Sequence, residues 1–270
     1  MSISEKAMLV SLSIKQWSAR KYDRKITEEV NQVHNAKDAG RFNKLLIEKT
    51  RLSPIVNAAN AIRIFHYNNT LAWADEGDRL LPVANFFEYS TKINALKDDF
   101  ERVVRDFVDD YHLIVAEAQH SLNGLFNPMD YPRDIADRFA VRFSFMPVPD
   151  SNDFRINISK EELDQMKVTM NAEVFNRLDN ATSNLKSKIK EQLLYMRDKL
   201  ADPNGIFRDS LFANLESLIE LTPKLNVTDD VNINNLIIGM REINEDPQSV
   251  RDNAELRTSI VRKLNNLLAI

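Results

Sequence analysis

A chain of 270 residues is long enough to bury a substantial core, as one large domain or two modest ones. Its 5 glycines are too few for the turns of sandwiches, barrels and phosphate-cradling loops, so the composition argues for helix. Charged residues reach 28% with nearly balanced signs, which excludes the bulk positive charge of a non-specific nucleic-acid binder, and the lack of cysteine excludes disulfide frameworks, thiolate metal sites and cysteine nucleophiles.

Residues Met1 to Lys6 open no apolar run of the signal-peptide kind, and no stretch approaches the ~18 apolar residues of a membrane span. The expected location is therefore the cytoplasm, with no membrane contact. Val10, Leu12 and Ile14 alternate with polar neighbours and predict a short half-buried strand. Thr27 ahead of Glu28 and Glu29, and Ser53 ahead of Pro54, read as the N-caps of two ordinary helices. Tyr67 to Asp78 has no helical stripe and reads as a loop or hairpin, closed by Pro82.

From Phe86 the apolar residues step by three and four through Tyr89, Ile93, Leu96, Phe100, Val103, Phe107, Tyr111, Ile114 and Ala118 to Leu122. This predicts one helix over about 83–122, roughly 40 residues and near 60 Å long. A second stripe runs from Leu163 through Met166, Met170, Val174, Leu178, Ala181, Leu185, Ile189, Leu193 and Met196 to Leu200, and predicts a helix over about 160–201. The first begins in heptads (Phe86, Ile93, Phe100, Phe107) and the second returns every eleven residues, so a uniform two-stranded coiled coil is not expected.

Between them, Arg138 to Phe145 alternates as a strand, with Phe139, Val141, Phe143 and Phe145 read as core, and Phe154 to Ile158 alternates again after a turn. Beyond Asp202 come three shorter stripes, Phe207 to Leu221, Val231 to Ile243, and Pro247 to Leu268. The expected fold is mainly α with a small β element: two long amphipathic helices, a two- or three-stranded sheet, and a C-terminal helical subdomain. The division expected is 1–202 for the long-helix domain and 203–270 for that subdomain.

The segments Leu9 to Lys21, Leu71 to Pro82 (LAWADEGDRLLP) and Arg138 to Phe145 (RFAVRFSF) together resemble an uncharacterised helical family of bacteria, mobile elements and tailed phages. The resemblance covers roughly residues 8 to 170 and nothing beyond Asp202. Members of that family are often encoded beside a MoxR/CobS-like AAA+ ATPase and a von Willebrand A-type protein, so the resemblance implies a partner rather than a reaction.

Nucleophile elbows, phosphate-loop lysine motifs and dinucleotide fingerprints are absent from the sequence. Asp109 with His112 and Glu117 with His120 share the acid-to-histidine spacing of carboxylate-bridged metal bundles, yet both pairs belong to one helix and lie off its apolar stripe, so they read as solvated side chains. Adjacent carboxylates such as Asp98 with Asp99 diverge on a helix and make no acid–base pair. No catalytic residue, cofactor or metal is expected.

A binding patch is the sharper candidate. Lys15, Arg20, Lys21, Arg24 and Lys25 interleave with Trp17 and Tyr22, the mixture of cations and stacking rings that holds single strands; the competing reading packs both rings on the core. The second long helix adds Lys186, Lys188, Lys190, Arg197 and Lys199, whereas residues 98 to 117 of the first carry seven acids against two bases. A simple hairpin would set acidic ends together, so either the long helices do not form one or these bases face another chain. The expected function is a non-enzymatic structural or assembly protein, phage or mobile-element encoded, acting as a homo-oligomer or with the AAA+ ATPase. The alternative is a single-stranded nucleic-acid-binding or recombination accessory protein.

Overall fold

The computed structural model describes residues 3–74, 77–150, 159–202 and 205–270. In chain order its elements are α1 (Ile3–Lys6), β1 (Ala7–Lys15), β2 (Arg20–Tyr22), α2 (Arg24–Val33), β3 (Asn43–Leu45), α3 (Lys49–Asn68), β4 (Leu71–Ala72), β5 (Arg79–Pro82), α4 (Val83–Leu122), β6 (Ala140–Pro147), α5 (Lys160–Ala201), α6 (Ser210–Leu225), α7 (Val231–Glu242), α8 (Pro247–Asp252) and α9 (Ala254–Leu268). The fold is mainly α with a small β element, and the two long helices, α4 of 40 residues and α5 of 42, have the bounds their periodicity predicts. The sheet has four strands in the order β4-β5-β1-β6, because the hairpin after Tyr67 supplies two of them. Leu9 stands opposite Leu80 and Leu71 opposite Leu80, so the apolar face of the hairpin continues that of β1. Phe154 to Ile158 lies outside the described residues.

Several helix boundaries differ from expectation. The side chain of Asp23, not Thr27, accepts the Ile26 amide at 3.2 Å and caps α2; Thr27 lies inside that helix, where its hydroxyl donates to the Asp23 carbonyl at 2.8 Å and accepts the Phe42 amide at 3.0 Å. Helix α3 starts at Lys49, so Ser53 and Pro54 fall within it, and the proline costs the helix one hydrogen bond. The stripe from Pro247 to Leu268 is broken at Asn253, whose extended backbone ends α8 while its side chain accepts the Leu256 amide at 3.0 Å to start α9. Along β6, Phe139 ahead of it and Val141 are buried, but Phe143 is half-buried and Phe145 exposed. The sheet order puts β6 at an edge, where the far end of the strand has fewer layers to bury it.

The chain forms two compact units. The first comprises Met1–Ser11, Tyr67–Ser90 and Ser144–Ile270. Its core joins Leu9, Leu71, Trp73 and Leu80 to the C-terminal half of α5 and to α6, α7 and α9, so residues 207–270 share one apolar interior with the second long helix. Ile189, Leu193, Ile233, Leu236, Met240 and Leu264 are fully buried in it. Gly239 lets α7 approach α9, since a Cβ there would stand 2.1 Å from Leu267 Cδ2. Buried Arg257 of α9 closes the C-terminus of α5, donating to the carbonyls of Leu200 at 2.9 Å, Lys199 at 3.2 Å, Gly205 at 3.0 Å and Asp202.

The second unit comprises Leu12–His66 and Thr91–Phe143. Here β2 pairs with β3 as a two-stranded ribbon, and the aromatic contacts Trp17–Tyr111 at 6.0 Å, Phe107–Tyr111 at 5.9 Å and Phe107–Phe139 at 5.7 Å tie α4 to the chain before and after it. Lys44 on β3 is buried and meets Asp130 at 2.8 Å, Asp23 at 3.5 Å and the Leu125 carbonyl at 2.9 Å. Its bond to Asp130 raises the Lys44 pKa despite burial. Tyr131 donates to the Leu46 carbonyl at 2.6 Å nearby.

Candidate functional site

The twelve basic and aromatic residues singled out in the sequence divide between the units. Lys15 to Lys25 belong to the second unit and Lys186 to Lys199 to the first. In the N-terminal group, Lys15 donates to the Asp137 carbonyl at 2.6 Å, Arg24 pairs with Glu28 at 2.7 Å, and Trp17 is half-buried with its ring edge-on to Tyr111. That leaves Arg20, Lys21 and Lys25 exposed without a carboxylate partner among the described residues, beside a Tyr22 that is 45% exposed. Trp17 thus packs on Tyr111 without full burial, whereas Tyr22 stands in the open.

On α5 the five bases do not form one face. At about 100° per residue, Lys186, Lys190 and Arg197 flank the buried stripe on one side and Lys188 and Lys199 on the other. Lys186 pairs with Asp230 at 2.8 Å, which lowers the Asp230 pKa, and Arg197 pairs with Asp198 at 2.6 Å. Lys199 lies over the Tyr195 ring at 5.5 Å. The acids of α4 are met locally too: Arg102 bridges Asp99 at 2.6 Å and Asp106 at 3.4 Å, and Glu117 pairs with Arg51 at 2.6 Å.

The two halves of α5 differ in cover. From Ala181 to Leu200 the stripe is buried. From Leu163 to Leu178 no residue is: Leu163, Met170 and Val174 are half-buried, Met166 is 40% exposed, and Val168 and Phe175, one heptad apart on another side, are each 69% exposed. A capping box fixes where this bare half begins, with the Ser159 hydroxyl accepting the Glu162 amide and the Glu162 carboxylate accepting the Ser159 amide, both at 3.3 Å.

Beside the covered half lies a cleft of about 890 Å³, walled by α5, α6 and the β4–β5 hairpin. Its floor is apolar, with Leu185, Ile189, Leu225 and Leu71. Arg79 stands in it, with Nε donating to Thr70 Oγ1 at 2.7 Å, Nη2 to the Thr70 carbonyl at 2.9 Å, and the guanidinium 4.6 Å over the Tyr67 ring. Burial lowers the Arg79 pKa, and no carboxylate lies within ion-pair distance among the described residues. Lys188 donates to the Tyr67 carbonyl at 3.5 Å; although exposed, it is held below the ordinary lysine value by the surrounding walls and then by the like charge of Arg79, with Glu191 opposing.

Of the twelve residues, only Lys188 lines this cleft, and the sequence reading missed Arg79, Asn184, Gln192 and Asn214. One local signal existed, a single arginine heading the apolar strand Arg79–Pro82. His112 and His120 are exposed on α4, and no group of three or more histidines and carboxylates among the described residues is placed to hold a metal. No described helix is long and apolar enough to cross a membrane.

What the fold and these surfaces define is a mainly α protein with a half-covered helical stripe and a cleft that holds two cations. No family model, curated protein or solved structure matches the chain.

Proposed function

We propose that the protein is a non-enzymatic assembly protein that associates with a second copy of itself through the N-terminal half of α5. The observation that supports this reading is the incompletely covered apolar stripe of Leu163, Met166 and Met170, which runs into Val174 at the edge of the core, on a helix whose other half is sealed into that core. The stripe is self-complementary. In an antiparallel pair centred on Met170, Met166 of one copy meets Val174 of the other, and Lys167 faces Glu173 on both sides of the axis. Lys167 makes no ion pair within the chain among the described residues, whereas Glu173 is paired with Arg177 at 2.5 Å through Oε1, which leaves Oε2 for that contact.

Light scattering coupled to size-exclusion chromatography tests this. The wild type is expected to be dimeric, Met170→Glu monomeric with unchanged helicity, and Lys167→Glu weakened but restored when combined with Glu173→Lys. A monomer at every concentration up to the solubility limit would sink the reading.

A second reading, single-stranded nucleic-acid binding, is favoured by Arg20, Lys21 and Lys25 standing exposed beside Tyr22. Fluorescence anisotropy of a labelled strand across a salt series decides it: binding that weakens with salt and is lost in Lys21→Glu/Lys25→Glu supports it, and absence of salt-dependent binding counts against it.

A further inference from the structure

The cleft of the first unit carries an inference separate from self-association, because it lies along the other half of α5. Its volume, about 890 Å³, falls in the range of small-molecule sites, and its lining mixes apolar and charged groups. Leu185 on its floor and Leu218 and Leu221 of α6 supply apolar lining. The lining also holds two cations. Arg79 is fixed rather than floating, since two of its nitrogens are held by Thr70 and its plane lies over Tyr67, and that leaves Nη1 as the edge for a ligand. Lys188 approaches the same strip of chain through the Tyr67 carbonyl.

Arg79 and Lys188 line the same cleft with like charge and both approach Tyr67, and neither has an ion pair among the described residues. Such an arrangement gains stability when a dianion enters, because one ligand group relieves both desolvated charges and their mutual repulsion. Glu191 on the same wall subtracts from that attraction and limits the site to one compact anionic group rather than a polyanion.

We propose that this cleft binds an organic phosphate monoester, its phosphate between Arg79 and Lys188 and its apolar body against Leu185, Leu218 and Leu221. Arg79 contributes one charge-assisted hydrogen bond and a fixed charge, and Lys188 a mobile ammonium that follows the phosphate oxygens. No bond is made or broken.

Phenyl phosphate, inorganic phosphate and phenol are the probes, each titrated calorimetrically into the full chain. Phenyl phosphate is expected to bind more tightly than either of the others. Lys188→Met, at an exposed helix position that leaves folding intact, is expected to weaken it about tenfold, the worth of one charge-assisted contact. Glu191→Gln is expected to strengthen it several-fold by removing the opposing charge. Phenyl phosphate binding no better than phenol, or an affinity unmoved by both Lys188→Met and Glu191→Gln, would overturn the phosphate site. Inorganic phosphate binding as tightly as phenyl phosphate would overturn the apolar half of the assignment. Arg79→Lys adds an arm that keeps the charge and removes the Thr70 fork, and is expected to bind less well than the wild type.

Discussion

Arg257 and Lys44 are buried cations that hold chain segments far apart in sequence, and they do so differently. Arg257 spreads its guanidinium over four carbonyls at and just beyond the end of α5, among them those of Lys199 and Leu200 in its last turn, which no further helical turn can satisfy. Arg257→Met is expected to cost about 3 kcal/mol in urea unfolding, since it leaves several buried carbonyls unsatisfied. Arg257→Lys is expected to recover less than half, because an ammonium lacks the planar fork. Lys44 answers two carboxylates instead. Lys44→Met is expected to cost about 2 kcal/mol, below the range of a fully desolvated pair because Asp23 keeps access to solvent. A loss smaller than that of an exposed lysine would show that Asp130 and Asp23 need no counter-charge.

Helix ends and helix contacts are where single elements set stability. Asp23, Asp230 and Asp246 cap α2, α7 and α8, and all three are held below the ordinary carboxylate range: Asp23 chiefly by the Ile26 amide, Asp230 by Lys186, and Asp246 by the Ser249 amide. A depressed folded pKa means the unfolded chain binds more protons in acid. The caps therefore contribute stability above about pH 4 that is lost as pH falls further. At the other end of the scale, burial pushes the Tyr111 phenol up to about 12, and Lys44 is raised by Asp130, so their contribution is present below about pH 10 and lost as pH rises through the folded values. Melting temperature against pH is expected to form a plateau between these limits. A protein as stable at pH 3 as at pH 7 would contradict the role given to the caps. Between elements, Gly239→Ala is expected to lower stability by about 1 kcal/mol, the overpacking against Leu267 outweighing the gain in helix propensity. The double variant Gly239→Ala/Leu267→Ala is expected to show a favourable coupling in a double-mutant cycle.

For the molecule as a whole, the two compact units are expected to keep damage local. Hydrogen exchange is expected to show Lys44→Met raising opening rates within 12–66 while leaving 205–270 protected, and Arg257→Met doing the reverse. Uniform acceleration across the chain would mean that the units unfold together. The N-terminal half of α5 belongs to this scale too, because Leu163 and Met170 there are only half-buried and Met166, Val168 and Phe175 are exposed among the described residues.

Much of this architecture was legible in the residues. The spacing of Phe86 to Leu122 and of Leu163 to Leu200 gave both long helices their bounds, because helical periodicity repeats locally and sums over many turns. The alternation of Val10, Leu12 and Ile14 and of Phe139 and Val141 marked two strands of the sheet for the same reason. Caps were less legible: Asp23, Thr27 and Ser53 all have the chemistry, and only the backbone hydrogen bond formed decides among them. The five bases of α5 are neighbours in the sequence, yet they flank the core on two sides, and four of them, Lys186, Arg197, Lys199 and Lys188, are met by Asp230, Asp198, Tyr195 and the cleft. The cleft itself brings Arg79 to Lys188 across 109 positions of sequence. No local pattern encodes that approach; the packing of α5, α6 and the hairpin creates it. Sequence alone determined the helices, the alternating strands and the absence of cysteine chemistry, because these depend on neighbours along the chain. Which half of α5 is covered, which cations are left without partners, and where a ligand fits were decided only by the tertiary structure, because burial and charge pairing depend on neighbours in space.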